Sequence, residues 1–208
     1  MSFFSFQLFR NQRVTPFTDP TARFEAGRFG MWLLIATLAV IFASTLMAYV
    51  FVRLSPNNIG NWPPPHMPPL PQALLLSTIF LIASSGTMHV ATLAARRGEP
   101  GVGVWMVATL CLGCAFLGVQ TYAWIDAMRD NMAFTKHLYA WTFYVLTVLH
   151  ALHVIGGLLP MLVTTRNAVR GLYGPERLAG ITYCGMYWHF LDAAWIVLYA
   201  TLLWGSTR

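Results

Sequence analysis

Five long apolar segments restrict the fold of this chain more than any other feature of its sequence. A run of about 20 apolar residues, rising about 1.5 Å per residue as a helix, crosses a hydrocarbon core of about 30 Å. Asp192 is the only formally charged residue within the five segments. The sequence therefore predicts an all-α integral membrane bundle of five transmembrane helices. The segments lie at roughly residues 29–52, 72–95, 102–125, 138–164 and 181–204.

The overall composition agrees with this interpretation and excludes a nucleic-acid partner. Hydrophobic residues make up 57% of the chain and charged residues only 10%, whereas soluble domains are roughly 45–50% apolar and about 25% charged. A charge at the bilayer centre costs about 2.5–3.5 kcal/mol on insertion scales, so that spanning segments exclude it. The net charge of +6 comes from basic residues scattered between the segments, without the clustered footprint of a nucleic-acid-binding surface.

The distribution of basic residues predicts the orientation. We divide the chain into a cytoplasmic N-terminal segment, 1–28, and a transmembrane domain, 29–206. Lys and Arg are enriched in cytoplasmic loops, which places the N-terminus in the cytoplasm and the C-terminus in the periplasm. Nine basic residues share the N-terminal side, namely Arg10, Arg13, Arg23, Arg28, Arg96, Arg97, Arg166, Arg170 and Arg177. Four lie on the other side, namely Arg53, Arg129, Lys136 and Arg208.

Ionisable residues within the spans are the candidate functional residues. An ionisable residue inside a membrane is a functional hypothesis by default, and the alternative for each histidine is a neutral imidazole packed between helices. Asp192 follows His189 by three residues, which places both on one helix face. A buried carboxylate needs a donor, so we predict that Asp192 accepts a hydrogen bond from a histidine and joins the fourth and fifth spans. The candidates are His89, His150, His153, His189 and Asp192.

Small residues in the spans predict close packing rather than chemistry. Gly156 and Gly157 follow His153 closely, and small residues let neighbouring backbones approach in lipid. Cys111 and Cys114 have the spacing of a redox pair but lie within an apolar span, where thiolates are disfavoured. We therefore expect them to be small core residues, with no disulfide framework in the chain.

Three functions that would require particular residues in the spans can be compared on the sequence alone: haem binding, metal binding and transport. A haem held by two histidines needs imidazoles from facing helices around a large cavity, and the crowding by Gly, Trp and Tyr argues against it. No span carries a chelating His/Glu pair for copper or zinc. A small transporter would need interrupted helices and paired repeats, and neither is present. We expect no metal or cofactor on this chain and no catalytic residues.

Motifs along the chain resemble those of a known membrane family. The pattern of the last span and the His-x-x-His-Val with its glycine pair are similar to the last two helices of subunit III of haem–copper oxidases. The resemblance extends from about Arg28 to Ser206 and is closest to the short, five-helix form. The segments that carry it are "RFGMWLLIATLAVIF", "NWPPPHMPPLP", "IASSGTMHVATLAARRG", "LGCAFLGVQTYAW", "LTVLHALHVIGGL" and "YWHFLDAAWIVLYATLLWGS".

This resemblance implies a non-catalytic accessory subunit of a terminal oxidase in the bacterial inner membrane. The haems and copper are then expected in the partner subunit I, within a complex that also contains subunit II. The chain itself is expected to bind structural phospholipids and to support sustained proton uptake and turnover. Arg28 and Trp32 are the implied lipid contacts. The polar and aromatic signature positions that match the family are His150, His153, Trp188, His189 and Asp192.

Two positions depart from the family pattern. The family usually has a glutamate where this chain has Leu38, and another where it has Thr182. No role of those carboxylates is carried over. Longer members also have two extra N-terminal helices, so the resemblance implies a lipid cleft that is incomplete or completed by another subunit.

Two related functions stay open beside this one. The chain is alternatively the haem-b membrane anchor of a quinone-linked complex, or the subunit III-like protein of a nitric oxide reductase. The sequence does not choose between cytochrome c and a quinol as the electron donor.

Overall fold

The described part of the chain is built from five long α-helices. The computed structural model describes residues 19–59, 61–64, 67–129, 132 and 138–207. All five helices are long and apolar enough to cross a membrane, and no strand is assigned within these ranges. The prediction of an all-α, five-span protein is confirmed. The helices are α1 (Pro20–Arg53), α2 (Ala73–Arg97), α3 (Val102–Arg129), α4 (Leu138–Val169) and α5 (Ala179–Ser206).

Helix α1 begins well before its predicted membrane span. Asp19 caps the helix by accepting hydrogen bonds from the backbone N–H and the hydroxyl of Thr21, at 3.0 and 2.7 Å, and Pro20 occupies the first helical position. Both residue types are favoured at these positions. The bonds from Thr21 hold the pKa of the exposed Asp19 carboxyl below its ordinary value. Residues 20–28, which the sequence places in an N-terminal segment, therefore continue the first helix.

A glycine turn reverses the chain between α2 and α3. Gly98 follows α2 with a φ of 67°, a left-handed conformation that L side chains rarely adopt. The next backbone N–H, that of Glu99, donates to the carbonyl of Ala94 at 2.9 Å. The turn is short enough to place α2 and α3 side by side in antiparallel directions.

Four of the helices form a closed ring, and α1 lies outside it. Helix α2 packs against α3, α3 against α4, α4 against α5, and α5 against α2. Helix α1 packs mainly along α5 and only marginally against α4. Because α1 touches one neighbour well and the other little, a groove remains between α1, α4 and α5.

Tryptophan–hydroxyl hydrogen bonds hold the ring together. On α5, Trp188 donates to Ser84 and Trp195 donates to Thr78, each over 2.9 Å. Trp124 of α3 donates to Thr147 of α4 over 3.0 Å. Lipid tails are as apolar as leucine, so helices associate in a membrane through packing and such hydrogen bonds rather than through hydrophobic exclusion.

The two adjacent glycines of α4 differ in role. Gly157 is buried, and a Cβ atom there would lie 2.6 Å from the Tyr187 ring of α5. The predicted close packing with a neighbouring helix is therefore confirmed at Gly157. Gly156 is exposed and a Cβ atom would meet nothing within 4 Å. The prediction of close packing is wrong for Gly156, which faces the groove.

The cysteine prediction is also wrong for one pair. Cys111 and Cys114 lie on the exposed face of α3, and only Cys184 is buried. None of the three forms a disulfide. A spacing of three residues places two cysteines on one helix face, but it does not say whether that face looks toward protein or lipid.

Candidate functional site

The structure distributes the signature residues over three different interfaces. His150 is completely buried in the ring. Its imidazole contacts Phe42, Phe116 and Trp195, with ring centroids 6.0, 5.8 and 4.9 Å away. Neither ring nitrogen has a hydrogen-bond partner among the described residues. His150 is therefore an aromatic packing residue with two unsatisfied nitrogens.

His153 lies one turn further along α4, at the edge of the groove. Its Nδ1 atom is 2.7 Å from the carbonyl oxygen of Leu149 in the preceding turn. Its own carbonyl accepts a hydrogen bond from the Tyr187 hydroxyl at 3.0 Å, and its ring lies 5.1 Å from that of Phe42. His153 thereby connects three helices, α1, α4 and α5, without contacting Asp192 through a hydrogen bond.

The interface between α2 and α5 holds the other polar signature residues. Trp188 is bonded to Ser84, as described above. His189 lies beside it, with its Nδ1 atom 2.7 Å from the hydroxyl oxygen of Ser85. The imidazole of His89 lies on the outer side of the same interface, 6.3 Å from that of His189 between ring centroids. His89 is exposed and His189 is half-buried.

The predicted hydrogen bond between Asp192 and a histidine is wrong. Asp192 is 5% exposed, and neither of its carboxylate oxygens has a hydrogen-bond partner among the described residues. Asp192 and His189 do share one face of α5, but the His189 ring is hydrogen-bonded to Ser85 of α2. His150 is enclosed by aromatic rings. The Ser85 hydroxyl also faces the Asp192 carboxyl group without reaching hydrogen-bonding geometry.

The remaining candidates for ligands do not converge. Within residues 19–59, 61–64, 67–129, 132 and 138–207, no group of three His, Cys, Asp or Glu side chains is arranged to hold a metal ion.

An apolar groove of about 800 Å³ runs between α1, α4 and α5. Its α4 wall extends from His153 to Asn167, past Gly156 and Pro160, a length of roughly 21 Å along the helix. The groove is apolar along this wall because Gly156 presents no side chain and α1 offers aliphatic groups. Met31, Leu34 and Leu38 form the α1 wall.

A second, more polar recess of about 830 Å³ continues the groove beyond the start of α5. Asn167, Tyr173, Gly180 and Tyr183 line both cavities. Arg23 and Arg177 add positive charge to the recess, and Glu176 adds one negative group. We call the two cavities together the α1–α4–α5 groove.

Tyr183 attaches the N-terminal part of α1 to α5 at the junction of the two cavities. Its hydroxyl donates to the carbonyl of Phe24 at 2.8 Å, and the two rings stack with centroids 5.8 Å apart. A Cβ atom on Gly27 would overlap the Tyr183 side chain. The first turns of α1 are thus held against α5, and they form a wall of the polar recess.

The residues that sequence motifs assigned to lipid lie beside the groove rather than in it. Arg28 forms an ion pair with Glu25 at 2.6 Å, and Trp32 is 58% exposed. Neither lines the α1–α4–α5 groove, so their lipid contacts stay predictions. The sequence analysis did not assign Arg23 and Tyr183 to this groove. Neither residue belongs to a recognisable motif.

The positions of the two missing glutamates are both buried. Leu38 faces the groove and is one of the few buried residues of α1, and Thr182 is buried near the start of α5. Because the chain has leucine and threonine at these positions, neither site carries a carboxylate.

The sequence is similar to one family of known proteins over nearly its whole length. A family model described as cytochrome c oxidase subunit III matches residues 15–207. A cytochrome c oxidase subunit 3 of Synechocystis is 36% identical over 174 residues, covering 82% of this chain and 72% of its own. A cytochrome c oxidase subunit 3 of Thermostichus vulcanus is 30% identical over 184 residues, covering 86% and 87%. A probable subunit 3 of Nocardia farcinica is 31% identical over 164 residues, covering 78% and 80%.

Proposed function

The chain belongs to the cytochrome c oxidase subunit III family of haem–copper oxidases, and from this membership we propose that it is a non-catalytic accessory subunit that holds phospholipid against the oxidase core. Its partners are the catalytic subunit I, which carries the haems and copper, and subunit II. The observation that supports this proposal most is the continuous match of residues 15–207 to the family. The relatives of the chain are named as subunits of an oxidase, and a subunit acts through partners.

The membrane in question is the bacterial inner membrane, with the N-terminus in the cytoplasm. The asymmetry of basic residues supports this orientation. Two of the arginines that determine it, Arg23 and Arg177, line the polar recess of the groove. The recess then lies at the cytoplasmic surface, at the level of lipid headgroups.

The α1–α4–α5 groove supplies the lipid site in this proposal. Its long section has the apolar walls that an acyl chain requires, and its end carries two arginines of the type that bind anionic headgroups between transmembrane helices. In this arrangement, Arg23 and Arg177 contact the phosphate group of the lipid. The hydroxyl groups of Tyr173 and Tyr183 lie at the same depth as that phosphate. A lipid held this way fills the gap between α1 and α4 and stiffens the surface that the chain offers to subunit I, which in turn sustains proton uptake over many turnovers.

Purification of the chain from its native membrane tests the partner. We expect a tagged chain in mild detergent to bring with it a larger haem- and copper-containing subunit, and oxidase depleted of the chain to lose activity during repeated turnover. After dissociation, the isolated chain should show no Soret band. A Soret band on the isolated chain would instead establish a haem anchor, and co-purification with a nitric oxide reductase alone would establish the related subunit of that enzyme.

A matched pair of glycine variants tests the lipid site. A Cβ atom at Gly156 would meet nothing within 4 Å, so that Gly156→Leu places its side chain in the groove. A Cβ atom at Gly118 meets equally open space, so that Gly118→Leu adds the same side chain on the exposed face of α3. We expect Gly156→Leu to reduce the phospholipid retained by the purified complex, measured by lipid mass spectrometry, and Gly118→Leu to leave it unchanged. Equal lipid content in both variants would refute the assignment to this groove.

A pair of arginine variants tests the headgroup. Arg23→Ala combined with Arg177→Ala should lower retained anionic lipid more than zwitterionic lipid, because the positive charge of the recess is removed. Arg96→Ala is the control, since Arg96 is an exposed arginine in the last turn of α2, away from the groove. Loss of the same lipid from the Arg96 variant would indicate general surface attraction instead.

A further inference from the structure

The interface of α2 and α5 contains a row of proton-carrying side chains that leads from the surface of the bundle to a buried acid. The row consists of His89, His189, Ser85 and Asp192, and we call it the α2–α5 seam. Its outer member is exposed and its middle pair is joined at 2.7 Å. Its inner member is a buried carboxyl group that has no hydrogen-bond partner in the part of the chain that the structure describes. The functions described above make no use of this arrangement.

We propose that the α2–α5 seam is a proton-exchange site, in which Asp192 takes up and returns a proton through Ser85, His189 and His89. The proposal does not rest on the lipid site or on the identity of the partner subunits. It assigns to Asp192 a role as a proton store within the bundle.

The depth of the seam suits such a role. His89 precedes Arg97 by eight residues, so it lies roughly 12 Å along the helix axis from the end of α2. Asp192 follows Ala179 by thirteen residues, roughly 20 Å from the same side of the bundle. An ionised carboxylate buried in this apolar interior without a donor carries a large desolvation cost, and binding a proton removes that cost.

We order the transfer along the row, in which Ser85 and His189 are joined by a hydrogen bond. A proton that binds one ring nitrogen of His189 releases the proton on the other nitrogen to the Ser85 oxygen, and the original hydroxyl hydrogen of Ser85 passes to a carboxylate oxygen of Asp192. For each proton gained by Asp192, one proton enters the seam at its exposed end, at His89. The reverse sequence of transfers restores the starting state. The rings of His89 and His189 lie 6.3 Å apart between centroids, and we assign the proton transfer between them to a bridging water molecule.

The seam ends at Asp192. One turn further along α5, Trp195 fills the interior of the ring and its indole N–H is already donated to Thr78. His150 lies against Trp195 on the far side and has no hydrogen bond to either oxygen of Asp192. The site therefore stores and exchanges protons on one side of the membrane and does not conduct them across it.

Other ionisable groups near α5 belong to different interfaces. From α4, His153 is bonded to Leu149 at the groove. From α1, Glu25 and Arg28 lie near Tyr183, and Tyr49 and Arg53 lie near the end of α5. Each of the two α1 pairs is separated from Asp192 by more than two turns of α5. The ionisable neighbours of Asp192 on α2 and α5 are therefore the two histidines of the seam, His89 and His189.

Infrared spectroscopy of the full chain in lipid bilayers tests the proposal. We expect a carbonyl stretching band of a protonated carboxylic acid that disappears in Asp192→Asn and shifts when the sample is transferred to heavy water. Removal of a positioned transfer group lowers proton-transfer rates by about a hundredfold or more, so Ser85→Ala should slow the shift by about that factor. His189→Gln should do the same, because an amide can keep a hydrogen bond to Ser85 but does not relay a proton.

Thr87→Val is the matched control for the loss of a hydroxyl group. Thr87 is also half-buried on α2, but its hydroxyl is bonded to Thr109 of α3 at 2.8 Å, outside the seam. We expect its exchange rate to equal that of the unmodified chain. Absence of an acid band that depends on Asp192 would overturn the proposal. Exchange that is unchanged in both Ser85→Ala and His189→Gln, or slowed as much in Thr87→Val, would overturn it as well.

Discussion

The guanidinium group of Arg53 lies 3.7 Å from the centroid of the Trp204 ring, so that the last residue of α1 stacks on the last turn of α5. The same group donates hydrogen bonds to the carbonyl of Trp204 and, at 3.2 Å, to that of Thr207. Carbonyls at a helix C-terminus lack intrahelical partners and attract positive charge. One side chain therefore closes the end of the α1–α5 interface that lies opposite to Tyr183.

The first prediction concerns this contact. Arg53→Ala removes a cation–π interaction and hydrogen bonds from a charged donor, and it should lower the free energy of unfolding by about 1–3 kcal/mol. Arg53→Lys keeps the charge but loses the planar guanidinium group. Its free energy of unfolding should lie between those of the unmodified chain and Arg53→Ala. Unfolding titration of the full chain in mixed micelles measures both. Arg96→Ala is the control, and a stability of Arg53→Ala equal to that of the control would show that the stack contributes nothing.

The second prediction separates the adjacent glycines of α4. A methyl group on Gly157 would lie 2.6 Å from the Tyr187 ring, and overpacking of this kind typically costs about 1–3 kcal/mol. Gly156→Ala meets open space and should be neutral or stabilising by up to about 1 kcal/mol, the difference in helix propensity. Thermal unfolding of the two variants side by side provides the measurement. A larger loss from Gly156→Ala than from Gly157→Ala would contradict the packing described.

The third prediction concerns the bond between Trp188 and Ser84. A double-mutant cycle with Ser84→Ala and Trp188→Phe isolates their coupling energy. Hydrogen bonds between transmembrane helices measure about 0.6 kcal/mol on average and up to about 1.7 kcal/mol, and we expect a coupling in the upper part of this range because both partners are fully buried. Strictly additive losses from the two single variants would rule out a stabilising bond.

The fourth prediction is a pH dependence at the start of α1. Hydrogen bonds from Thr21 lower the pKa of Asp19 from 3.8, so the carboxylate form stabilises the folded first turn. This contribution is present above pH 3.8 and is lost as the pH falls through the lower pKa of the folded state. Amide hydrogen exchange at the first turn of α1, corrected for intrinsic rates, should show protection that decreases at acid pH. In Asp19→Ala, protection should be weaker and independent of pH over this range.

The position of the helices could be predicted from the sequence because the physical signal is strong. Long apolar runs bounded by Arg96, Arg129 or Gly98 leave little choice of where a helix crosses lipid. The exception is the start of α1, where the cap formed by Asp19 and Pro20 extends the helix beyond its apolar segment. Asp19 and Pro20 mark this start in the sequence, whereas hydrophobicity alone predicts a span that begins near residue 29.

The partners of the polar residues could not be predicted in the same way. Spacing relates His189 to Asp192 because both belong to one helix, yet it says nothing of the residue that faces them from α2. The Ser85 hydroxyl is hydrogen-bonded to the His189 imidazole, and Asp192 has no hydrogen-bond partner among the described residues. The failure has the same origin at Cys111 and Cys114, which were predicted to be core residues but lie on the exposed face of α3.

The sequence by itself determined five membrane-spanning helices, their order and the family to which the chain belongs. Only the tertiary structure decided which face of each helix turns inward, that α1 stands apart to form a groove, and which groups lie along the α2–α5 interface. The physical reason is that lipid and protein interior are almost equally apolar. A membrane helix therefore carries little of the amphipathic pattern that tells the inside of a soluble protein from its outside.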